Sequence, residues 1–308
     1  MNPWQIVRGF TYRGPVAELD AVRRAVRQEG HAAAPKPVAR TAVPQVPWEP
    51  PRPPSKAPLA GWPDLRRLVG AQARLLSAPQ ADGRGLCEIC HGPQDQGSPR
   101  CFPCDLHVQC ARDSLADVVV PVAFAIKGDA HARRLWQYKS ARQPAEARAE
   151  AAAMLRALLL VFLRDHGACL WRAAGVAGPS HLAAVPTARG RPGVHPLREL
   201  VEDYLAIPRA KLSARPGEAA VRDLDPDRFS AMPMPGARVL LIDDTWTTGS
   251  NAQSAAMALR RAGAIAVITV VLGRHVGRAE ASAAGLGPAT TPFRMRSCAL
   301  HNDHVAAP

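Results

Sequence analysis

Aromatic residues are scarce in this chain: six Phe, six Trp and three Tyr, 5% of 308 residues. That scarcity weighs against a surface dedicated to nucleic acid, because single-strand binders interleave aromatic rings with their basic groups. Long apolar runs are missing too. The strongest, over 151–163, is about 13 residues and is broken by Arg156, whereas a membrane span needs about 20. It reads as a buried amphipathic helix, and no membrane span is expected. No continuous apolar segment follows the N-terminus, so no secretory signal is expected and the chain is assigned to the cytoplasm, where thiols stay reduced. Acidic residues are in the minority, 26 against 39 Lys+Arg, for a net charge of +13. Residues 1–84 hold 13 of the basic and 6 of the acidic residues, about half of the excess. Such a chain attracts polyanions non-specifically. The heavy excess of Arg over Lys fits genome composition better than a chosen partner.

Proline, by contrast, is plentiful: thirty occur, ten of them within 35–63, including Pro50-Pro51-Arg52-Pro53-Pro54. Such a segment neither propagates a helix nor joins a central strand. Residues 1–84 are read as a Pro-rich, largely disordered extension, or as sequence ahead of a mis-assigned start codon. A short helix over 63–77 is expected to lead into the ordered body.

Seven cysteines occur, and four are concentrated: Cys87-x2-Cys90 and, ten residues on, Cys101-x2-Cys104. Two such knuckles can bring four thiolates to about 2.3 Å from one Zn2+. Gly92, Pro93, Gly97 and Pro99 between them suit a tight metal-held loop. Four cysteines fill a tetrahedral site and leave no open position, so the ion would be structural and 85–116 a small zinc ribbon. Buried free thiols, or a redox Cys-x2-Cys pair lacking its βαβ context, are the other readings. His91, His107 and Cys110 stand nearby as substitute ligands. Cys298, His301 and His304 also have metal-like spacing, but in a tail such spacing is more often incidental.

The remainder reads as α/β. A β-rich stretch over 117–126 (Val118, Val119, Val120, Val122, Phe124, Ile126) runs into 131–139. A helix is expected over 145–165, with Met154, Leu155, Leu158, Leu159 and Phe162 on an apolar stripe and Gly167 ending it. A strand over 181–185, a helix over 195–205 and a buried strand over 264–272 follow. Strand, helix, strand, helix predicts a parallel sheet, in a domain over 117–275 with 276–308 as a tail. The loop after 185 carries Arg189 and Arg191 and is either an anion cradle or an ordinary solvated turn. The polar segment 211–230 is a candidate flexible loop that closes over a site.

One stretch organises these elements: Val239-Leu240-Leu241-Ile242-Asp243-Asp244-Thr245-Trp246-Thr247-Thr248-Gly249-Ser250-Asn251. Its four apolar residues read as a strand buried on both faces. Two carboxylates follow where that strand should end, then a turn rich in hydroxyls, then an Ala-rich helix over 252–261. In open α/β sheets ligands bind beyond the carboxyl ends of the strands, where helix N-termini offer free N–H groups to anions. Acids for hydroxyls or a metal, and a loop for a phosphate, thus stand side by side. The doublet is not the alternating Asp-x-Asp of aspartate-nucleophile phosphatases, and the loop lacks the Gly-Lys-Ser/Thr of a P-loop. An isolated Asp-Asp is an ordinary solvated strand end; the attached Thr-Thr-Gly argues against that. Trp246 is either core beneath the loop or a stacking platform.

This pattern resembles the ribose-phosphate motif of the type I phosphoribosyltransferases. The four-cysteine segment ahead of it resembles the ComF/GntX-like family in particular, in which a zinc ribbon precedes the transferase domain and members are associated with competence and DNA uptake. The resemblance covers roughly 85–275. It implies a Rossmann-like type I phosphoribosyltransferase fold that binds 5-phosphoribosyl-1-diphosphate (PRPP) with Mg2+. Asp243 and Asp244 would hold the ribose hydroxyls and act in catalysis. Thr245, Thr247, Thr248, Gly249, Ser250 and Asn251 would complete the PRPP site, with Asn251 standing where the motif usually has Thr or Ser. Thr187, Arg189 and Arg191 match the diphosphate loop, and Cys87, Cys90, Cys101 and Cys104 the structural Zn2+ site. The implied reaction displaces diphosphate at the anomeric carbon in favour of an unidentified nitrogenous, base-like acceptor. The alternative is a non-catalytic PRPP binder or DNA-uptake accessory, whose ribbon binds single-stranded DNA or a competence-machinery partner.

Overall fold

The computed structural model describes residues 51–52, 61–79, 81, 83, 85–95, 97–187, 196–201, 204–215 and 223–301. Most of the Pro-rich stretch, together with Arg189, Arg191 and His304, lies outside them. In chain order the strands are β1 (Val118–Pro121), β2 (Phe124–Ile126), β3 (His181–Ala184), β4 (Leu212–Ala214), β5 (Phe229–Ala231), β6 (Arg238–Trp246) and β7 (Ala266–Val276). The helices are α1 (Trp62–Gln72), α2 (Phe102–Ala111), α3 (Ala130–Gln137), α4 (Ala145–Ala173), α5 (Pro196–Val201), α6 (Ser250–Arg261) and α7 (Arg278–Ala283).

The main sheet is parallel and ordered β1-β7-β6-β3, with β2 resuming the β1 ladder further along β7. Side chains alternate across a strand, and the runs of consecutive apolar residues follow from cover on both faces. Leu240, Ile242, Ile268 and Val270 enter one core cluster with α1, α4 and α5. Val239, Leu241, Val267 and Val271 enter the opposite one with α6 and the four clustered cysteines. The sequence-based α/β reading with a parallel sheet matches this architecture.

Several boundaries differ from expectation, each because burial overrides a local signal. Helix α4 does not end at Gly167; it runs on to Ala173. Leu170 and Trp171 are buried there, and that outweighs the roughly 1 kcal/mol a mid-helix glycine costs. Strand β6 does not stop at Ile242 but carries both aspartates to Trp246, because β7 extends to Val276 and keeps pairing with it. The packed body begins at α1, ahead of 85, since Leu65 and Val69 sit in the main core. Nor is 276–301 a tail outside the body: Phe293, Cys298 and Ala299 join that core, and Pro292 bridges to Ser77. Within 211–230, strands β4 and β5 form an antiparallel pair with Phe229 fully buried, so this part is ordered structure. Among the described residues, no helix is long and apolar enough to cross a membrane.

Candidate functional site

Two polar constellations meet at the carboxyl ends of β6 and β7. The first is built locally. Cys87 donates its backbone N–H to Gly92 O (2.7 Å) and accepts from His91 N (2.9 Å), which closes a tight turn around Cys90. Cys101 caps α2, and Cys104 lies in its first turn. The four sulfurs are buried and all within 4.8 Å of one another, a group that could hold one metal ion. His91, His107 and Cys110 are not in this group. The cluster is not isolated from the sheet. Arg274 of β7, itself buried, donates Nε–H to Cys90 Sγ at 3.2 Å. Gly92 makes room for it: a Cβ there would sit 2.5 Å from Arg274 Nε.

The second constellation is the acid pair. Asp243 and Asp244 are each 8% exposed. Helix α3 approaches β7 closely at Gly273, where a Cβ would lie 2.3 Å from Leu135 Cδ1. That approach delivers the two residues after α3 to Asp244. Its Oδ2 accepts from Lys139 Nζ at 2.7 Å and from the Tyr138 hydroxyl. Burial alone would raise the Asp244 carboxyl, but the Lys139 charge, with bonds from Lys139, Tyr138 and Thr245, outweighs it and holds the group below its ordinary value. Asp243 is the opposite case. Burial, then the neighbouring Asp244 charge, pushes it up to about 7, against the opposing pull of Lys139 and of backbone N–H groups. One acid is thus held ionised and the other is poised near neutrality.

The loop follows directly. Gly249 adopts a left-handed conformation (φ 85°) as the N-cap of α6. A Cβ at Gly249 would lie 2.1 Å from the Trp246 ring, and Trp246 is 1% exposed. Trp246 therefore packs beneath the loop as core and is not a stacking platform. The carbonyl of Trp246 in turn accepts from Arg274 Nη1 at 3.4 Å, so one guanidinium spans the cysteine cluster and the loop. Thr248 and Ser250 hydroxyls share a 2.7 Å hydrogen bond. Thr247 and Asn251 are exposed, and Asn251 Oδ1 accepts from Arg228 Nη1 at 2.6 Å. Arg228, which lies just ahead of β5, thereby joins the polar segment to the loop. Thr187 is half-buried at the start of the loop after β3. The register Ala184↔Ile242 and the bond from Val185 N–H to Ile242 O (2.9 Å) bring the first residues after β3 to the level of Asp243, while Arg189 and Arg191 lie outside the described residues. Lys127 is exposed and takes no part.

Sequence reasoning missed Tyr138, Lys139, Arg228 and Arg274 as neighbours of these groups. The only available signal was a Tyr-Lys pair at the end of a helical stretch, which has no distinctive spacing. Comparison of the chain with protein-family models, with curated proteins and with solved structures finds no match.

Proposed function

We propose that this chain binds PRPP, with the Mg2+ that accompanies its diphosphate, and transfers the phosphoribosyl group to a nitrogenous acceptor. The observation that carries this reading is a buried acid pair at the carboxyl end of a central parallel strand, followed by a left-handed glycine turn that opens onto a helix N-terminus. Ionised carboxylates at Asp243 and Asp244 accept two vicinal hydroxyls through charge-assisted bonds. The N–H groups of the first turn of α6, with the Thr247, Thr248 and Ser250 hydroxyls, suit a terminal phosphate and add no charge of their own. Lys139 keeps Asp244 ionised in a site from which water is largely excluded. As diphosphate leaves the anomeric carbon, positive charge develops on the ribose. The two carboxylates stabilise it, so catalysis is positioning and electrostatics. Mg2+ supplies charge neutralisation to the leaving diphosphate. Cys87, Cys90, Cys101 and Cys104 take a structural Zn2+.

Calorimetric titration of PRPP with Mg2+ tests the reading. Wild type should bind, and the Asp243→Asn/Asp244→Asn double variant should bind at least about 100-fold more weakly, since each lost charge-assisted bond is worth about 1.5–3 kcal/mol. Equal binding by both, or none by wild type, defeats it. Diphosphate release over a panel of base-like acceptors then separates an enzyme from a binder that does not turn over.

A further inference from the structure

The C-terminal segment and the long helix α4 assemble a second cluster of metal-ligating groups, remote in sequence from the first. His166 and Cys169 stand three residues apart on α4, so they share one face of it. Cys298 packs against that face, and the ligand atoms of the three lie within 4.8 Å of one another. In a tetrahedral zinc site with Zn–S near 2.3 Å and Zn–N near 2.0 Å, ligand atoms are about 3.5–4 Å apart. A small inward movement of side chains satisfies that geometry.

The histidine carries the most information. His166 is 3% exposed, and its Nε2 lies 2.9 Å from the backbone oxygen of Met295. A carbonyl only accepts, so Nε2 carries the proton and Nδ1 presents its lone pair. Nδ1 is buried, makes no hydrogen bond of ordinary length among the described residues, and has the Cys169 thiol as its neighbour. A ring whose far N–H is anchored on a carbonyl and whose near nitrogen faces a thiol is in the state a metal-binding histidine requires. An orphaned buried acceptor otherwise costs stability.

A fourth donor is at hand. Cys298 and His301 exchange backbone hydrogen bonds (2.9 and 3.1 Å) and close a tight turn. The His301 ring nitrogens are not among the ligand atoms that lie within 4.8 Å of one another, so His301 would complete the set by turning its side chain inward from that turn. Together the residues read His-x2-Cys on a helix and Cys-x2-His on a turn.

We infer that His166, Cys169, Cys298 and His301 form a second metal site, a two-cysteine, two-histidine centre for Zn2+ that pins the C-terminal segment to α4. Two thiolates and two neutral imidazoles balance the charge of one divalent ion, and a tetrahedral set of two sulfurs and two nitrogens favours zinc. The site is closed and therefore structural. This inference is independent of the proposed PRPP chemistry.

Zinc content of the full chain, purified without added metal and desalted, tests it by plasma mass spectrometry. Two equivalents per chain are expected, falling to one in Cys169→Ser/Cys298→Ser. Should that variant fold poorly, cobalt substitution of the wild-type chain gives a second readout. Two sets of thiolate charge-transfer bands are expected, and His166→Asn should abolish the weaker, two-thiolate set alone. A zinc content unchanged in Cys169→Ser/Cys298→Ser, a single four-thiolate cobalt spectrum, or a Cys169–Cys298 disulfide in the native protein each overturns the site. Retention of both metals against a chelator by His301→Asn, equal to wild type, overturns the four-ligand set.

Discussion

One guanidinium bonds both the four-cysteine cluster and the backbone just past the acid pair, yet cluster and acids are held in opposite ways. The cysteines come from one short segment, 87–104, with turns and the start of α2 around them. Little beyond the sulfurs themselves and half-buried Ile89 gives that segment a core of its own. The acid pair rides on β6, with β3 on one side and β7 on the other, and Asp244 takes its partners from residues 105 and 106 positions away. The first gathers four sulfurs that could hold one metal ion; the second is held by side chains from other elements of the fold. Arg274 is the point where the two share a side chain, through Cys90 Sγ and Trp246 O.

The largest effect should come from breaking the local side. With Cys101→Ser/Cys104→Ser the metal term is lost, on the order of 10 kcal/mol for a structural zinc site. Hydrogen exchange should then show 85–111 unprotected while β6 and β7 keep protection. Equal loss in both regions would mean that the cluster is part of the main cooperative unit, and the contrast would collapse.

The acid pair offers a smaller effect. Lys139→Met leaves Asp244 with Tyr138 and Thr245 as its remaining donors. Removing one partner of a fully buried pair costs about 3–5 kcal/mol. Lys139 keeps 29% of its side-chain surface exposed, so roughly 2 kcal/mol is expected from urea unfolding. A loss below about 0.5 kcal/mol would show that the hydroxyl and backbone donors suffice.

A pH dependence confined to the acid side is the third expected effect. Asp243 has a folded value of about 7, above the ordinary carboxylate value of about 3.9. Between these two values the folded chain binds more protons than the unfolded one, so this group's stabilising contribution is complete below about 4 and is lost as pH rises through 7. Asp243→Asn should flatten that slope in thermal unfolding between pH 5 and 8. PRPP affinity should move the other way, tightening as Asp243 ionises. A slope unchanged in the variant would assign it to another group.

What was legible followed from short windows. The run Val239-Leu240-Leu241-Ile242 announced a strand covered on both faces, and all four are fully buried. The Cys-x2-Cys spacings announced a cluster, and the four sulfurs do converge. Thr-Thr-Gly announced a turn, and Gly249 adopts the left-handed conformation that such a turn uses. What was not legible depended on distant partners. Gly167 looked like a helix stop because its neighbours to burial, including Cys298 and its segment, lie more than a hundred positions on. Cys298 looked incidental in a tail because nothing local shows that α4 turns His166 and Cys169 toward it.

The amino-acid sequence by itself determined the parallel α/β architecture, the cysteine knuckles and the placing of the acid pair toward the carboxyl end of a buried strand, though not that the strand runs past it. Side-chain alternation, glycine's conformational freedom and ligand spacing all act over a few residues. Only the tertiary structure decided which acid is paired and which is raised, and which thiol meets a guanidinium. It also decided that a histidine and two cysteines gather beneath α4. Lys139 reaches Asp244 across 105 positions and Arg274 reaches Cys90 across 184. Contacts of that span exist only once the order of strands in the sheet has brought their elements together.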